Sequence, residues 1–474
     1  MTAINATIFR KYDIRGTAAG DAPQLTPEVA LLVGRALGTY LPVTFGTERV
    51  FVGMDNRRSS PPLHAAMIAG LLSTGMAVTD IGEVITPTVY YAASAFAGKG
   101  AGVQITGSHL DTRYNGIKMS YGPLALYDQQ IQALLKIIQD DAFASGQGVL
   151  SQDFGMMARH LARIGGMVKL ARPMKVVIDA GNGVIGPVFP AVLRGLGCDV
   201  IELYTESDGT YPNHLPNPED PETTKDLEAK VIETGADCGL AFDGDSDRCG
   251  FVDEHGHHIA ADRLLAVLAR DLLTRIPGAT IVYDVKCSQV LPDIIRQHGG
   301  VPLMWKTGHS LMKQKIAEVG SPLGGEISGH LFTGEDYYGF DDAPLIALRA
   351  LQIFSQTRES VSAIFAQMPT LPATPEIILP APDALKFQII ADITRALQQT
   401  HEVFTLDGAR VQFERGWGVV RASNTQPAVT LRFEAYTRPE LVEIMQRFLA
   451  LLRQYPEVDT RILEGHIATF SQPV

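Results

Sequence analysis

Lys175-Val176-Val177-Ile178-Asp179-Ala180 opens a stretch that runs on through the glycine turn Gly181-Asn182-Gly183, a helix-like segment over 188–196 and a second apolar run over 198–204. Two near-continuous apolar runs with a helix between them read as buried strands whose two faces are both covered. The same rhythm extends outward in both directions. Strand-like runs recur at 50–53, 101–106, 238–242, 280–285 and 302–306, with helix-like segments at 62–74, 129–140 and 261–274. Alternation of this kind predicts α/β domains. From about residue 382 the texture changes. Strand-like 410–413, 417–422 and 429–435 lie between helical 383–399 and 439–454, an α+β layout.

The chain has 474 residues, and at roughly 150 residues per domain that suggests about three domains. Breaks in the pattern suggest four. They fall at the polar stretch 145–153, at the turn 254–257, and where Pro369, Pro372, Pro375, Pro380 and Pro382 crowd into what reads as an extended linker. The expected division is 1–150, 151–255, 256–368 and 369–474. Hydrophobic content of 46% with 19% charged residues fits a folded protein. A net charge of -12 argues against general nucleic-acid affinity but leaves room for a local basic pocket. Cys198, Cys238, Cys249 and Cys287 form no C-x-x-C pair and read as reduced residues of a cytoplasmic protein. No start resembling a signal peptide and no apolar run of membrane-spanning length is seen, so no membrane partner is expected.

Five stretches carry chemistry. Asp243-Gly244-Asp245-Ser246-Asp247-Arg248 directly follows the apolar run ending at Phe242. Three carboxylates at alternate positions can converge on one hard cation such as Mg²⁺ or Ca²⁺. An EF-hand shares this spacing and would place Glu254 at its twelfth position, but its sixth position needs glycine and here is Arg248. A solvated acidic turn is the plainer alternative. Thr106-Gly107-Ser108-His109, followed by Tyr114-Asn115-Gly116-Ile117-Lys118, places a serine on a glycine turn after a buried strand, with His109 and Lys118 near to move protons or bind phosphate. It lacks the Gly-x-Ser-x-Gly form of a hydrolase elbow. Gly324-Gly325-Glu326-Ile327-Ser328-Gly329-His330 allows close backbone approach, and Glu326 and Ser328 can hydrogen-bond neighbouring sugar hydroxyls. Arg421-Ala422-Ser423-Asn424-Thr425 forms a compact anion site. Phe9-Arg10-Lys11-Tyr12-Asp13-Ile14-Arg15-Gly16 concentrates cations near the N-terminus. Taken singly, the serine turn, the glycine turn and the Ser-Asn-Thr turn each have an ordinary structural reading.

In this order and spacing the stretches resemble the α-D-phosphohexomutase superfamily, and within it the bacterial phosphomannomutase/phosphoglucomutase branch. The resemblance spans nearly the whole chain, from Tyr12-Asp13-Ile14-Arg15-Gly16 to Arg421-Ala422-Ser423-Asn424-Thr425. It implies three related α/β domains and a smaller C-terminal α+β domain around a central cleft. It implies an isomerase, an intramolecular phosphotransferase that interconverts the 1- and 6-phosphates of mannose or glucose. Ser108 would be the phosphoserine. Asp243, Asp245 and Asp247 would hold Mg²⁺, with a phosphoserine oxygen as a further ligand, and a hexose 1,6-bisphosphate would be intermediate and activator. Glu326 and Ser328 would grip O3 and O4 of a small phosphorylated hexose. Arg421, Ser423, Asn424 and Thr425 would hold the phosphate that is not reacting. Tyr12, Arg15, Lys118, Arg248, Lys286, His309 and His330 match positions of the cleft. Lys118 and His109 both stand as candidates for proton transfer.

One place departs from the family. After Thr-Gly-Ser-His it usually carries Asn-Pro, and this chain carries Leu110-Asp111, which puts the shape of the serine loop in question. Glucosamine mutases of the superfamily usually carry Gln where this chain has Ile327, which favours mannose and glucose. A phosphoglucosamine mutase and a non-catalytic phosphosugar-binding homologue remain the alternatives, and monomer and dimer are both open.

Overall fold

The computed structural model describes residues 4–95, 100–423 and 427–472. The chain packs as two compact units. The first holds the residues up to Val282 with Ile294–Pro302 and Gly308–Phe365; the second holds Tyr283–Asp293, Leu303–Thr307 and the chain from Ala366 onward.

Within the first unit the stretch 175–204 folds as its pattern predicts. Lys175–Asp179 pairs in parallel with Asp199–Leu203, and the helix Phe189–Gly195 makes the crossover. Cys238–Phe242 adds in parallel on the other side, followed by antiparallel Cys249–Asp253 and His258–Ile259. The stretch 254–257 is the turn of that last hairpin. A larger sheet runs Ile14–Thr17, Tyr114–Tyr121, Ala101–Ile105, Arg49–Met54, Ala77–Glu83, Val149–Gln152. Its three central pairings from Ala101–Ile105 to Val149–Gln152 are parallel, and Ile14–Thr17 and Tyr114–Tyr121 join antiparallel. The polar stretch 145–153 therefore contains an edge strand, Val149–Gln152, rather than only a connection. All four of its residues are exposed, so it shows no alternation for a sequence reading to detect.

The helices Pro27–Phe45 and Ser60–Leu72 cover this sheet and touch backbone to backbone. A Cβ at Gly34 would lie 2.6 Å from the Met67 carbonyl oxygen, and one at Gly70 would lie 2.3 Å from that of Leu31. Thr26 caps the first helix by accepting from the Val29 N–H, Pro27 starts it, and Gly46 ends it in the left-handed region at φ 66°. Farther along, Leu323–Gly325 and Leu331–Thr333 form an antiparallel hairpin whose turn carries Glu326 to His330.

The second unit contains an antiparallel sheet in the order Ile377–Pro380, Ala428–Ala435, Gly416–Ala422, Ala409–Phe413, Glu402–Phe404, packed against Lys386–Gln398 and Arg438–Leu452. This matches the α+β texture read from the sequence. The proline-rich linker needs correction, because its last part is the edge strand Ile377–Pro380, with Ile377 and Leu379 buried and Ile378 and Pro380 exposed. An edge position tolerates Pro380 because its missing N–H is not needed by a neighbour. Trp417 is fully buried, donates from Nε1 to Glu434 at 2.9 Å, and carries the Arg410 guanidinium 3.8 Å above its ring. Arg410 in turn donates to the carbonyls of Val285 and Cys287, fastening the segment Tyr283–Asp293 to this sheet.

No helix among the described residues is long and apolar enough to cross a membrane. All four cysteines are buried and none forms a disulfide.

Candidate active site

Three parallel strands of the first unit, Arg49–Met54, Ala101–Ile105 and Cys238–Phe242, lead at their carboxyl ends into polar loops. Ligand sites of α/β sheets form at such ends. The loop after Ala101–Ile105 presents Ser108, which is buried and holds a positive φ of 51°. Its N–H donates to Thr106 Oγ1 at 2.8 Å. Its hydroxyl donates to Asp243 Oδ2 at 2.9 Å and lies 3.3 Å from His109 Nδ1. Burial, followed by the charges of Arg248 and Arg15, drives the His109 imidazolium well below its usual range, so the ring is neutral at ordinary pH.

The loop after Cys238–Phe242 folds back tightly. The N–H of Ser246 donates to the Asp243 carbonyl, and the next strand begins at Cys249. Strands on both sides rule out the helix-loop-helix of an EF-hand. Asp243, Asp245 and Asp247 are all buried, and each offers one carboxylate oxygen within 4.8 Å of the others. Asp245 Oδ2 accepts from Thr86 Oγ1 at 2.5 Å and from Lys118 Nζ at 2.7 Å, and Asp247 Oδ2 accepts from the same ammonium at 2.5 Å. Asp245 Oδ1 has no hydrogen-bond partner among the described residues. Asp247 Oδ1 faces His330 Nε2 at 3.6 Å, beyond hydrogen-bond length. Buried carboxylate oxygens left open in this way suit a hard cation. Burial, with the like charges of Asp247 and Asp245, pushes Asp243 well above the usual carboxylate range, a strain that a cation would relieve. Burial works against the charge of Lys118, but Asp245 and then Asp247 outweigh it and hold its pKa above that of an ordinary lysine.

A cluster of rings and carboxylates adjoins Asp247. Arg248 Nε lies 3.3 Å from His330 Nε2, and His330 Nδ1 lies 3.2 Å from Ser328 Oγ and 3.4 Å from Glu326 Oε2. Burial and Arg248 oppose a charge on His330, yet Asp247 and Glu326 push its pKa up to about 9. Glu326 Oε1 accepts from the N–H of Gly308, where a φ of 126° and the ring of Tyr12 leave no room for a Cβ. His309 stacks on His330 at 5.3 Å and meets Tyr12 edge-on at 6.5 Å. Arg15 pairs with Asp13 at 2.7 Å.

The first unit thus brings together Tyr12, Arg15, Ser108, His109, Lys118, Asp243, Asp245, Asp247, Arg248, His309, Glu326, Ser328 and His330. In the second unit, Lys286 Nζ lies 3.0 Å from Glu376 Oε2, and Arg421 lies 3.7 Å from Glu376 Oε1 and 2.8 Å from Asp407 Oδ2. Ser423 is buried just past the strand that carries Arg421, and its N–H donates to Ala428. Asn424 and Thr425 lie outside the described residues.

Sequence reasoning missed several members of these networks: Asp55, Arg57, Thr86, Lys313, Asp341, Glu376 and Asp407. Lys313 and Asp341 form a buried pair at 2.8 Å beneath His309. The loop 55–60 carried a usable signal, since it follows a buried strand just as the other two loops do.

Four family models match the chain in order. They are described as phosphoglucomutase/phosphomannomutase alpha/beta/alpha domains I, II and III, at residues 6–145, 158–256 and 260–371, and the C-terminal domain at 376–451. The chain belongs to the phosphoglucomutase/phosphomannomutase family. It is 46% identical over 458 residues to a phosphomannomutase/phosphoglucomutase of Pseudomonas putida, covering 96% of this chain and 98% of that one. It is 40% identical to a phosphoglucomutase of Neisseria gonorrhoeae, covering 97% of this chain and 99% of that one. The crystal structure of a family protein from Burkholderia thailandensis superposes with a TM-score of 0.89 at 41% identity, covering 96% and 99% of the two chains.

Proposed function

We propose that this enzyme interconverts hexose 1-phosphates and hexose 6-phosphates, with mannose and glucose as its sugars. The observation that carries the reading is the Ser108 hydroxyl, 2.9 Å from a carboxylate of a buried aspartate triad that also seats Lys118. Family membership and full-length relatives bearing both activity names support it.

In this reading a hexose 1,6-bisphosphate first primes Ser108 with phosphate. The O6 hydroxyl of a bound hexose 1-phosphate then attacks that phosphorus. The P–O6 bond forms as the bond to Ser108 Oγ breaks, the O6 proton passes to a base, and Oγ takes up a proton. The bisphosphate turns within the site, Oγ gives its proton back to the base as it attacks the phosphorus on O1, and the P–O1 bond breaks with a proton passing to O1, leaving hexose 6-phosphate and phosphorylated Ser108. A Mg²⁺ ion held by Asp243, Asp245, Asp247 and a phosphoserine oxygen would stabilise the charge on the moving phosphoryl group. Neutral His109, 3.3 Å from Ser108 Oγ, is the better carrier of the serine proton, because Lys118 is bound to two carboxylates that hold it charged. Arg15, Lys118 and Arg248 add positive charge against the phosphoryl group. Tyr12, His309, Glu326, Ser328 and His330 are assigned to the sugar.

The phosphate that is not reacting is assigned to Lys286, Arg421, Ser423, Asn424 and Thr425. Arg421→Ala is expected to raise KM for glucose 1-phosphate about 10- to 100-fold with a smaller change in kcat, in keeping with loss of a charge-assisted contact worth about 1.5–3 kcal/mol. Steady-state kinetics check this, and an unchanged KM would place the phosphate elsewhere.

The test of the function is a parallel assay of mannose 1-phosphate, glucose 1-phosphate and glucosamine 1-phosphate, with Mg²⁺ and a trace of glucose 1,6-bisphosphate. Preference for the first two supports the proposal. Preference for the amino sugar overturns the sugar assignment, and no turnover of any overturns the reaction.

A further inference from the structure

The side chain that shapes the serine loop comes from another strand end. Arg57 is 1% exposed, and each of its five N–H groups has a partner. Nε donates to Asp55 Oδ2 at 3.2 Å. One terminal nitrogen donates to the carbonyls of Ser108 at 2.8 Å and Leu110 at 2.6 Å. The other donates to those of Asp111 at 2.8 Å and Tyr114 at 3.1 Å. Asp55 completes the clamp by accepting from the N–H of Gly107 at 3.0 Å. Gly107 fits only because it lacks a side chain, since a Cβ there would lie 2.5 Å from the guanidinium carbon. The clamp is anchored on its far side too. Asn56 donates to the Asn182 carbonyl and to Ser207 Oγ, and the Tyr211 ring lies 5.1 Å from the guanidinium.

We infer that Arg57, held by Asp55, is the positioning residue that sets Ser108 for phosphoryl transfer through the backbone carbonyls of its loop. The inference rests on Ser108 as the phosphoserine. It also gives the loop an anchor that does not depend on which side chains stand at 110 and 111. The side chain of Asp111 turns to exposed Arg113, and what the clamp reads at both positions is the carbonyl, which any residue supplies. The bonds are directional, so a lysine, with the same charge and three donors on one nitrogen, cannot reproduce the planar fork.

The experiment uses the full-length enzyme with Mg²⁺ and a trace of glucose 1,6-bisphosphate. It compares wild type, Arg57→Lys, Leu110→Ala and Asp111→Ala for kcat and KM with glucose 1-phosphate, for phosphate on Ser108 by intact mass and for thermal midpoint. Arg57→Lys is expected to lose about 100-fold in kcat while KM stays near wild type, as for a nucleophile displaced by about 1 Å. Leu110→Ala and Asp111→Ala are expected to stay within about threefold of wild type, as for side chains outside the clamp. Restoration of kcat by lysine would show that charge alone matters and overturn the inference. So would a loss of kcat no larger than the loss of folded protein. If Arg57→Lys does not fold, Asp55→Asn carries the test. It keeps the four carbonyl bonds but weakens their anchor, with about a tenfold lower kcat expected, and a folded Asp55→Asn at wild-type kcat overturns the inference. A wild type that never carries phosphate on Ser108 overturns the phosphoserine reading and the inference together. A phosphorylated wild type beside an unimpaired Arg57→Lys overturns the inference alone.

Discussion

Ser108→Ala is expected to lower kcat by about 10⁴-fold or more, the scale seen when a covalent nucleophile is removed. The loss should be chemical and not structural. The serine already holds its positive φ without being glycine, and alanine demands no new backbone conformation. The hydroxyl's carboxylate partner, Asp243, keeps the N–H of Arg248 on its other oxygen, so it is not left without a hydrogen bond. The thermal midpoint should therefore stay within a few degrees of wild type. Turnover of glucose 1-phosphate, with bisphosphate supplied so that priming is not limiting, is the measurement. Residual activity above about a hundredth of wild type would remove Ser108 from the role of phosphate carrier.

Asp245→Ala is expected to lower kcat by about 10³-fold, at the upper end for loss of one preorganised electrostatic group. Asp245 serves two neighbours at once, accepting from Thr86 and from Lys118 through Oδ2 while Oδ1 stays open. Its removal takes one carboxylate from the proposed cation site and leaves Lys118 held by Asp247 on one side only. Adding Mg²⁺ to tens of millimolar should not restore turnover if a ligand has been lost along with a seat for Lys118. A Mg²⁺ titration of kcat in wild type and variant decides it. A variant within tenfold of wild type at saturating Mg²⁺ would show that the triad is not where the cation acts.

How much of this was legible beforehand depended on burial. The unit over 175–204 could be read because central parallel strands are covered on both faces and so are written as unbroken apolar runs. Val149–Gln152 could not, since an exposed edge strand has no face to mark. Ile377–Pro380 was hidden for a different reason. Its alternation is clean, but proline masks a strand unless the edge position is already known. Within the site, the aspartate loop and the serine turn stood out because their chemistry is concentrated in a few adjacent letters. Asp55 and Arg57 did not, because what they bind is main chain, and main-chain contacts leave no trace in the letters of the partner. Thr86 and Asp341 were invisible for the related reason that each acts on residues far away in sequence.

The two edge strands also differ in how they behave towards other molecules. Ile377–Pro380 ends in a residue with no N–H to offer, which interrupts any ladder an incoming chain would try to build. Val149–Gln152 has no such interruption, and it sets two exposed aliphatic side chains, Val149 and Leu150, on a rim paired among the described residues only on its inner side, with Ala77–Glu83. Its shortness is its protection, because four residues span only about 13 Å of ladder. Of the two edges it is the one left open to strand pairing between half-folded copies, and Leu150→Lys is expected to lower light scattering on refolding.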